Sequence, residues 1–432
     1  MRICSITHHQ VINNPRLFRE ADALSNAGHD VRVIAVRQIA AQSELDRDLA
    51  SRRSWRLHTI NLEPPAWTWF YTGIRRKLAT KMWRQIGGGG RLAGYAYTRT
   101  FSETVGQILS EPVDLIIAHT QPMLAPAFYA AKQAECLWGF DCEDILSEEY
   151  GEGIQDARHQ ELVRTLEDQF IPQADYVTCA SLPYAGWIRE NYDTEAVVVR
   201  NVPSLADAPS KLEFEFGSSR SYLSLHWFSQ SIGPLRGIED AVRALPHVMI
   251  PVHLHLRGTL LPGYAPKLCQ LISEMGVSDR VFFHERIEPD GLIRSAAQHD
   301  VGLALMQPCC LNHQLAVPNK IFAYMMAGLA VLATDTEGHR SVANEAPEAI
   351  LTYEPGNHLQ LAQRINAFSD RELLRRVRES AFRFARSCFN WEKEQRIVLE
   401  TIAKLDTVQR RKVRKNRGPV PRSVAVRSST EP

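Results

Sequence analysis

VPNKIFAYMMAGLAVLATD, residues 317–335, joins a proline, a lysine, an apolar helical run, a glycine and an apolar strand. Pro318 suits a first helical turn, where its missing N–H would be unpaired anyway, and Gly328 suits the left-handed stop after Ala327. The helix so bounded is short. Its N-terminus presents free N–H groups and partial positive charge beside Lys320, a natural seat for a phosphate. Taken alone, the stretch also fits an ordinary αβ unit of a Rossmann-like sheet, so its neighbours decide.

Upstream, strands alternate with helices. RICSIT is a strand-type run, PRLFREADALSNAG carries Leu17, Ala21 and Leu24 at helical spacing, and DVRVIAVR follows at once as a second strand. Such a βαβ unit has a right-handed crossover. VDLIIAHT, CLWGFDC, ADYVTCAS and AVVVRNV continue the series, and a mostly parallel sheet covered on both faces is expected. Periodicity fades over residues 205–220, which reads as a linker after a first domain at 1–204. A second series, SYLSLHWF, VHLHLRG, RVFFHE, DVGLALM, AVLATD and AILTY, builds a second domain at 221–390. The fold class is α/β, with two doubly wound Rossmann-like domains facing a cleft, and ligands are expected beyond the carboxyl ends of the strands. Residues 391–407 read as an amphipathic helix, and 408–432, dense in Lys, Arg, Pro and Ser, as a disordered basic tail.

Bulk properties narrow the function classes. At 432 residues the chain exceeds one ordinary core. A formal net charge of +1 gives no argument for a nucleic-acid partner, so any electrostatic function is local. The eight cysteines form no CxxC pair or zinc spacing, and a reduced cytosol is the simplest compartment. The N-terminus has too short an apolar run for a signal peptide, and there is no run of about 18 apolar residues to span a membrane. A cytoplasmic location is therefore expected. Residues 66–99 stand apart, with three Trp, seven Lys or Arg and no Asp or Glu. Aromatics beside a basic helix suit peripheral contact with the inner face of a membrane, though a surface insertion packed on its own domain has the same composition. The glycines at 87–90 follow no strand and read as a flexible loop.

Candidate chemistry gathers at strand ends. His119 closes the run VDLIIAH, where an imidazole facing the cleft can act as acid, base or hydrogen-bond donor, and where a structural histidine is equally at home. Asp141, Glu143 and Asp144 follow the next strand and suit binding sugar hydroxyls or orienting a partner, with helix capping as the alternative for at least one of them. In HWFSQSIGPLRGIEDA, Ser231, Gly233 and Arg236 fall in the turn between the second domain's first strand and first helix, where a Rossmann-like unit holds a diphosphate. Arg236 at a helix start opposes the dipole unless an anion sits there. The spacing is not GxGxxG, which disfavours nicotinamide chemistry.

These segments together resemble the retaining glycosyltransferases of family 4. The resemblance rests on NPRLFREADALSNAGHDVRVIAV, AHT, ADYVTCASLPYAGWIRENY with VVVRNV, SIGPLRGIE and PNKIFAYMMAGLAVLATD, in order over about residues 1–405. It implies the GT-B fold, a nucleotide-sugar donor on the second domain, a glycan or lipid-linked acceptor on the first, and no metal or other cofactor. It also implies that the helix at 391–407 crosses back to the first domain. His119 matches the family histidine near the transferred sugar, and Arg236 the basic residue that binds the donor diphosphate. Ser231 stands where many members have an arginine. Two family glutamates eight positions apart are replaced by Leu315 and Ala323. Each missing carboxylate removes charge-assisted hydrogen bonds worth about 1.5–3 kcal/mol, so either His313, Asn319 and Lys320 hold the donor beside Ala323 or donor binding is weak.

The reading that follows is a retaining, metal-independent glycosyltransferase of cell-envelope or exopolysaccharide glycan synthesis. Leu315 and Ala323 keep a catalytically silent, sugar-nucleotide-binding or scaffolding subunit as the alternative, with a GT-B epimerase or phosphorylase behind it.

Overall fold

The computed structural model describes residues 1–149, 157–209 and 221–416. Two parallel sheets carry the chain. The first contains β1 (Arg2–Ile6), β2 (Asp30–Arg37), β3 (Arg56–Asn61), β4 (Leu115–His119), β5 (Leu137–Cys142), β6 (Tyr176–Cys179) and β7 (Ala196–Val198), in the order β3-β2-β1-β4-β5-β6-β7. The second contains β8 (Leu223–Ile232), β9 (Val252–Leu260), β10 (Val281–His284), β11 (Val301–Ala304), β12 (Ala330–Thr334) and β13 (Ile350–Tyr353), in the order β10-β9-β8-β11-β12-β13. This is the two-domain, doubly wound GT-B architecture. In each sheet the winding reverses beside the first strand, between β1 and β4 and between β8 and β11. The loops leaving those strands diverge and open a crevice at the carboxyl edge.

Sequence explains the sheet order through burial. β4 and β12, read as continuous apolar runs, are buried along their whole length, as strands covered by helices on both faces must be. β3 carries no such signal. Its sequence RLHTIN exposes most of its side chains at the sheet edge, and the strand series read from apolar runs omits it.

The stretch at 317–335 forms the helix Lys320–Met326 and then β12. Pro318 lies just outside that helix rather than in its first turn, with its carbonyl accepting from the Ile321 N–H at 3.1 Å. Gly328 takes the left-handed conformation at φ 73°. Tyr324 lies flat against β11, where a Cβ on Gly302 would come within 2.2 Å of its ring.

The basic segment folds as two helices, Trp67–Ile86 and Gly90–Tyr97, joined through the glycine run. At the other end, the helix Trp391–Asn416 returns to the first domain and buries Val398 and Ile402 against Ile3, Leu17 and Val33. It runs past residue 407, so the first part of the expected tail is helical. Residues 417–432 lie outside the described residues, as do 210–220 of the expected linker.

A short helix, Leu311–Leu315, ties the domains together. Asn312, 2% exposed, accepts at Oδ1 from the Ile145 N–H at 2.9 Å and from the Tyr184 hydroxyl at 2.5 Å. Leu315 and Ala316 pack into the core of the first domain, and the Ser181 hydroxyl donates to the Leu315 carbonyl at 3.1 Å.

Candidate active site

The donor half of the cleft is built at the end of β8. The strand continues past a bulge between Phe228 and Ser231 and pairs Ser231 with Thr259. Ser231 is therefore in the strand and not in the turn where its sequence context put it. The turn proper begins at Gly233 and contains Leu235 at φ 62° and Gly237 at φ 71°. A Cβ on Gly237 would lie 1.9 Å from the Leu305 carbonyl oxygen, so the loop presses on the end of β11 as only glycine permits. Left-handed Leu235 beside it is the kind of backbone strain that collects at ligand loops.

Arg236 projects from this turn, exposed, with no ion-pair partner among the described residues. Lys320 opens the helix Lys320–Met326 and holds its Nζ 4.5 Å from the centroid of the Trp227 ring. Burial, and then the charge of Arg236, push the Lys320 pKa down to about 7. Arg236 also lowers His313, after burial. From the first domain, Glu149 feels the same guanidinium, which opposes the upward push of burial on its carboxyl. One positive field thus spans the crevice, and Arg236 and Lys320 are its sources.

The remaining donor-side residues are dispersed. Asn319 is exposed at the start of its helix and makes no capping bond. His313 Nδ1 lies 3.0 Å from the Cys309 thiol, and the ligand atoms of Cys309, Cys310 and His313 lie within 4.8 Å of one another. Absence of CxxC spacing hid this trio in the sequence. Ala323, one turn beyond Lys320, is 7% exposed and packs in an apolar cluster with Ile293 and Ile321. Leu315 is accounted for by its contact with the first domain and lies in that apolar core.

The first domain corrects two expectations. His119 ends β4 but is 1% exposed and does not face open cleft. Its Nδ1 lies 3.1 Å from Asp141 Oδ2 and its Nε2 2.9 Å from Glu20 Oε2. Burial disfavours its cation, yet Asp141, Glu143 and Glu20 together lift its pKa well above the usual value. Asp141 is likewise buried and gripped by Arg16, whose Nε and second nitrogen donate to its two oxygens at 2.9 and 2.5 Å. Burial opposes its ionisation, but Arg16 and His119 hold the carboxyl well below its usual range. Thr178 fills a further lone pair at 2.7 Å. With all these partners Asp141 has no acceptor free for a sugar hydroxyl.

Glu143 is partly exposed and accepts from Asn14 Nδ2 at 2.5 Å. Asp144 is the most exposed of the three carboxylates, and its Oδ1 accepts from the Tyr184 hydroxyl at 3.3 Å. Confinement by protein, then the charges of Glu149 and Glu143, push its pKa up to about 7. A carboxyl near neutrality in a cleft is suited to proton exchange with a hydroxyl. The sequence named Asp144 but gave no means of separating it from Asp141, whose partner Arg16 comes from the distant helix Pro15–Asn26.

Residues 14–204 match the family model described as glycosyl transferase 4-like domain, and residues 227–370 match glycosyl transferases group 1. No curated protein matches the sequence. Among solved structures, Anabaena HepE in complex with UDP is 17% identical with a TM-score of 0.68, covering 94% of this chain and all of its own, 100%. Sucrose-phosphate synthase from Thermosynechococcus elongatus is 14% identical with a TM-score of 0.71, over 94% and 100%. A glycosyltransferase from Rickettsia africae is 15% identical with a TM-score of 0.64, over 93% and 97%. At such identities the likeness speaks for the fold, while the two matched domains in series make the chain a member of the glycosyltransferases of GT-B type.

Proposed function

We propose that the protein is a retaining glycosyltransferase that moves a sugar from a nucleotide-diphosphate sugar to a hydroxyl acceptor in cell-envelope or exopolysaccharide glycan synthesis. The observation that carries this reading is the pair Arg236 and Lys320, the second destabilised as a cation by burial and then by the charge of the first. A diphosphate between them relieves their repulsion, and as negative charge grows on the leaving phosphate the interaction strengthens. Arg236 offers a planar fork for two phosphate oxygens, and Lys320 a point charge. With two cations in that position, charge stabilisation requires no metal ion. Asp144 is the group placed to meet the acceptor or sugar hydroxyls, and Glu143 stands beside it. His119 and Asp141 act as positioning residues that fix the ends of β4 and β5.

Anabaena HepE has been solved with UDP and with UDP-glucose, which makes these the first ligands to compare with GDP, ADP and their sugars. The test is Arg236→Ala. Loss of turnover together with weakened nucleoside diphosphate binding supports the assignment, and undiminished turnover overturns it.

Leu315 and Ala323 favour a second reading. With apolar packing at both positions, a catalytically silent sugar-nucleotide-binding or scaffolding subunit follows. Hydrolysis or transfer with any nucleotide sugar ends that reading.

A work site at the inner membrane face, reached through residues 66–99, belongs to the proposal. No helix of the described residues is long and apolar enough to cross a membrane.

A further inference from the structure

A cavity of about 1040 Å³ opens at the carboxyl edge of the first sheet, beside the cleft. Its floor comes from His8 and His9 after β1, and its wall from the helix Trp67–Ile86. Arg76, Lys77, Lys81, Arg84, Arg99 and Arg158 line it, and no Asp or Glu does so among the described residues. Two nearby cations that face elsewhere are paired, while Arg91 lies over the Tyr129 ring. Arg75 meets Glu103 at 2.6 Å and Arg37 meets Glu63 at 2.8 Å. Arg99, by contrast, donates to the neutral Thr72 hydroxyl and the Trp69 carbonyl. Burial and then the charge of Arg76 lower its pKa. Six cations in one hollow, without a counter-charge among the described residues, repel one another unless an anion enters.

The same helix carries a second feature on its other side. Trp67, Phe70, Ile74, Leu78, Met82 and Ile86 fall at spacings of three and four and form one stripe. Each is between 45% and 74% exposed, although a stripe of this kind normally faces a core. Lys77, Lys81 and Arg84 of the same helix line the cavity. An apolar stripe bordered by cations is the pattern of a helix lying in a membrane interface, where anionic headgroups meet the charges.

We propose that this cavity is the acceptor site and that its ligand is a phosphate-bearing glycolipid. The phosphate or diphosphate sits among the six cations, the hydrocarbon stays in the bilayer against the Trp67–Ile86 stripe, and the hydroxyl to be glycosylated points to the cleft. The proposal deepens the transferase reading by naming its acceptor class, and it rests on that reading. Cavity and stripe share one helix, so the protein draws the lipid's head from the bilayer at the place where it docks.

The experiment uses the full chain carrying Arg236→Ala, so that the donor crevice does not contribute, and follows co-sedimentation with vesicles. Phosphatidylcholine vesicles holding farnesyl diphosphate are compared with phosphatidylcholine vesicles holding phosphatidylglycerol at equal surface charge. The expected result is tighter binding to the diphosphate vesicles and competition by soluble inorganic pyrophosphate. Changing Lys77, Lys81 and Arg84 together to Gln should weaken it about a hundredfold, at a factor of about five per cation near a surface. The same triple change in the chain with native Arg236 must leave the melting temperature and nucleoside diphosphate affinity unchanged, which separates loss of the site from loss of fold. Equal binding to both anionic vesicles, without competition by pyrophosphate, overturns the site in favour of a merely charged membrane surface. Diphosphate-specific binding in a chain that binds no nucleoside diphosphate keeps the site and sinks the transferase reading instead.

Discussion

The Lys320 ammonium lies over the Trp227 ring, 4.5 Å from its centroid, within reach of the Arg236 charge. Among the described residues the indole face is the contact that meets the cation, and it is weaker than a carboxylate. Burial and then Arg236 hold its pKa near 7, and an arriving diphosphate raises it. Below pH 7 the lysine is already charged and affinity for UDP is flat with pH. As pH rises above 7 the site must take up a proton on binding, and affinity falls by up to about tenfold per unit. Calorimetry in buffers of different ionisation enthalpy should show proton uptake at pH 8 that Lys320→Met abolishes.

Arg16, Asp141 and His119 form a buried charge cluster whose members cannot lose one another cheaply. Arg16→Met leaves Asp141 facing Glu20 and Glu143 with one cation fewer, and should cost about 3–5 kcal/mol of unfolding free energy in urea. Asp141's depressed pKa gives stability that is present above its unfolded value and lost as pH falls through the folded one. His119's raised pKa gives stability that is full below about 6.5 and lost only as pH climbs to its folded value. The cluster should thus support the fold through neutral pH and fail in acid.

Asp144 works in the opposite direction. Its folded pKa of about 7 lies above the unfolded value, so the stability it contributes is full below about pH 4 and is lost as pH rises to about 7. Buried Glu167, also pushed up to about 7 by burial, adds to the same slope. Melting temperatures from pH 4 to 8 should show the decline, and Asp144→Asn should flatten part of it. The same variant tests the catalytic proposal, since it should lower kcat more than nucleotide affinity.

Ala323→Glu places a carboxylate one turn beyond Lys320, at the position where the resembling family carries one. A ribose contact of about 1.5–3 kcal/mol should tighten nucleoside diphosphate binding by about tenfold or more. A steep loss instead means that the wall is built around the small residue.

Removing the Tyr184 hydroxyl takes one donor from Asn312, whose Oδ1 keeps only the Ile145 N–H. Tyr184→Phe should cost about 1–3 kcal/mol and leave the two domains less firmly closed, seen as a larger radius of gyration in solution scattering.

The domain pair was legible because most strands of parallel sheets are apolar runs, and β1, β2, β4 and β12 announce themselves. β3 escaped because an edge strand alternates with solvent, and RLHTIN looks polar. The positions of Arg236 and Lys320 were legible from strand, turn and helix order alone. What the sequence concealed was partnership across long separations. His119 and Asp141 look alike with Asp144 until Arg16 and Glu20 arrive from a helix far upstream and close over the first two. Leu315 reads as a lost sugar ligand in one dimension and is a wedge between domains in three. The composition of residues 66–99 was plain, but only folding divides its cations from its tryptophan-led stripe onto two sides of one helix.

The helix Leu311–Leu315 has a mechanical meaning. It is anchored in the first domain by Asn312 and Leu315, and the chain leaving it reaches Lys320 within a few residues. A rotation of one domain against the other therefore pulls directly on the lysine that faces Arg236. Any closure of the domains would in this way also reset the spacing of the two cations, with the short helix as its lever.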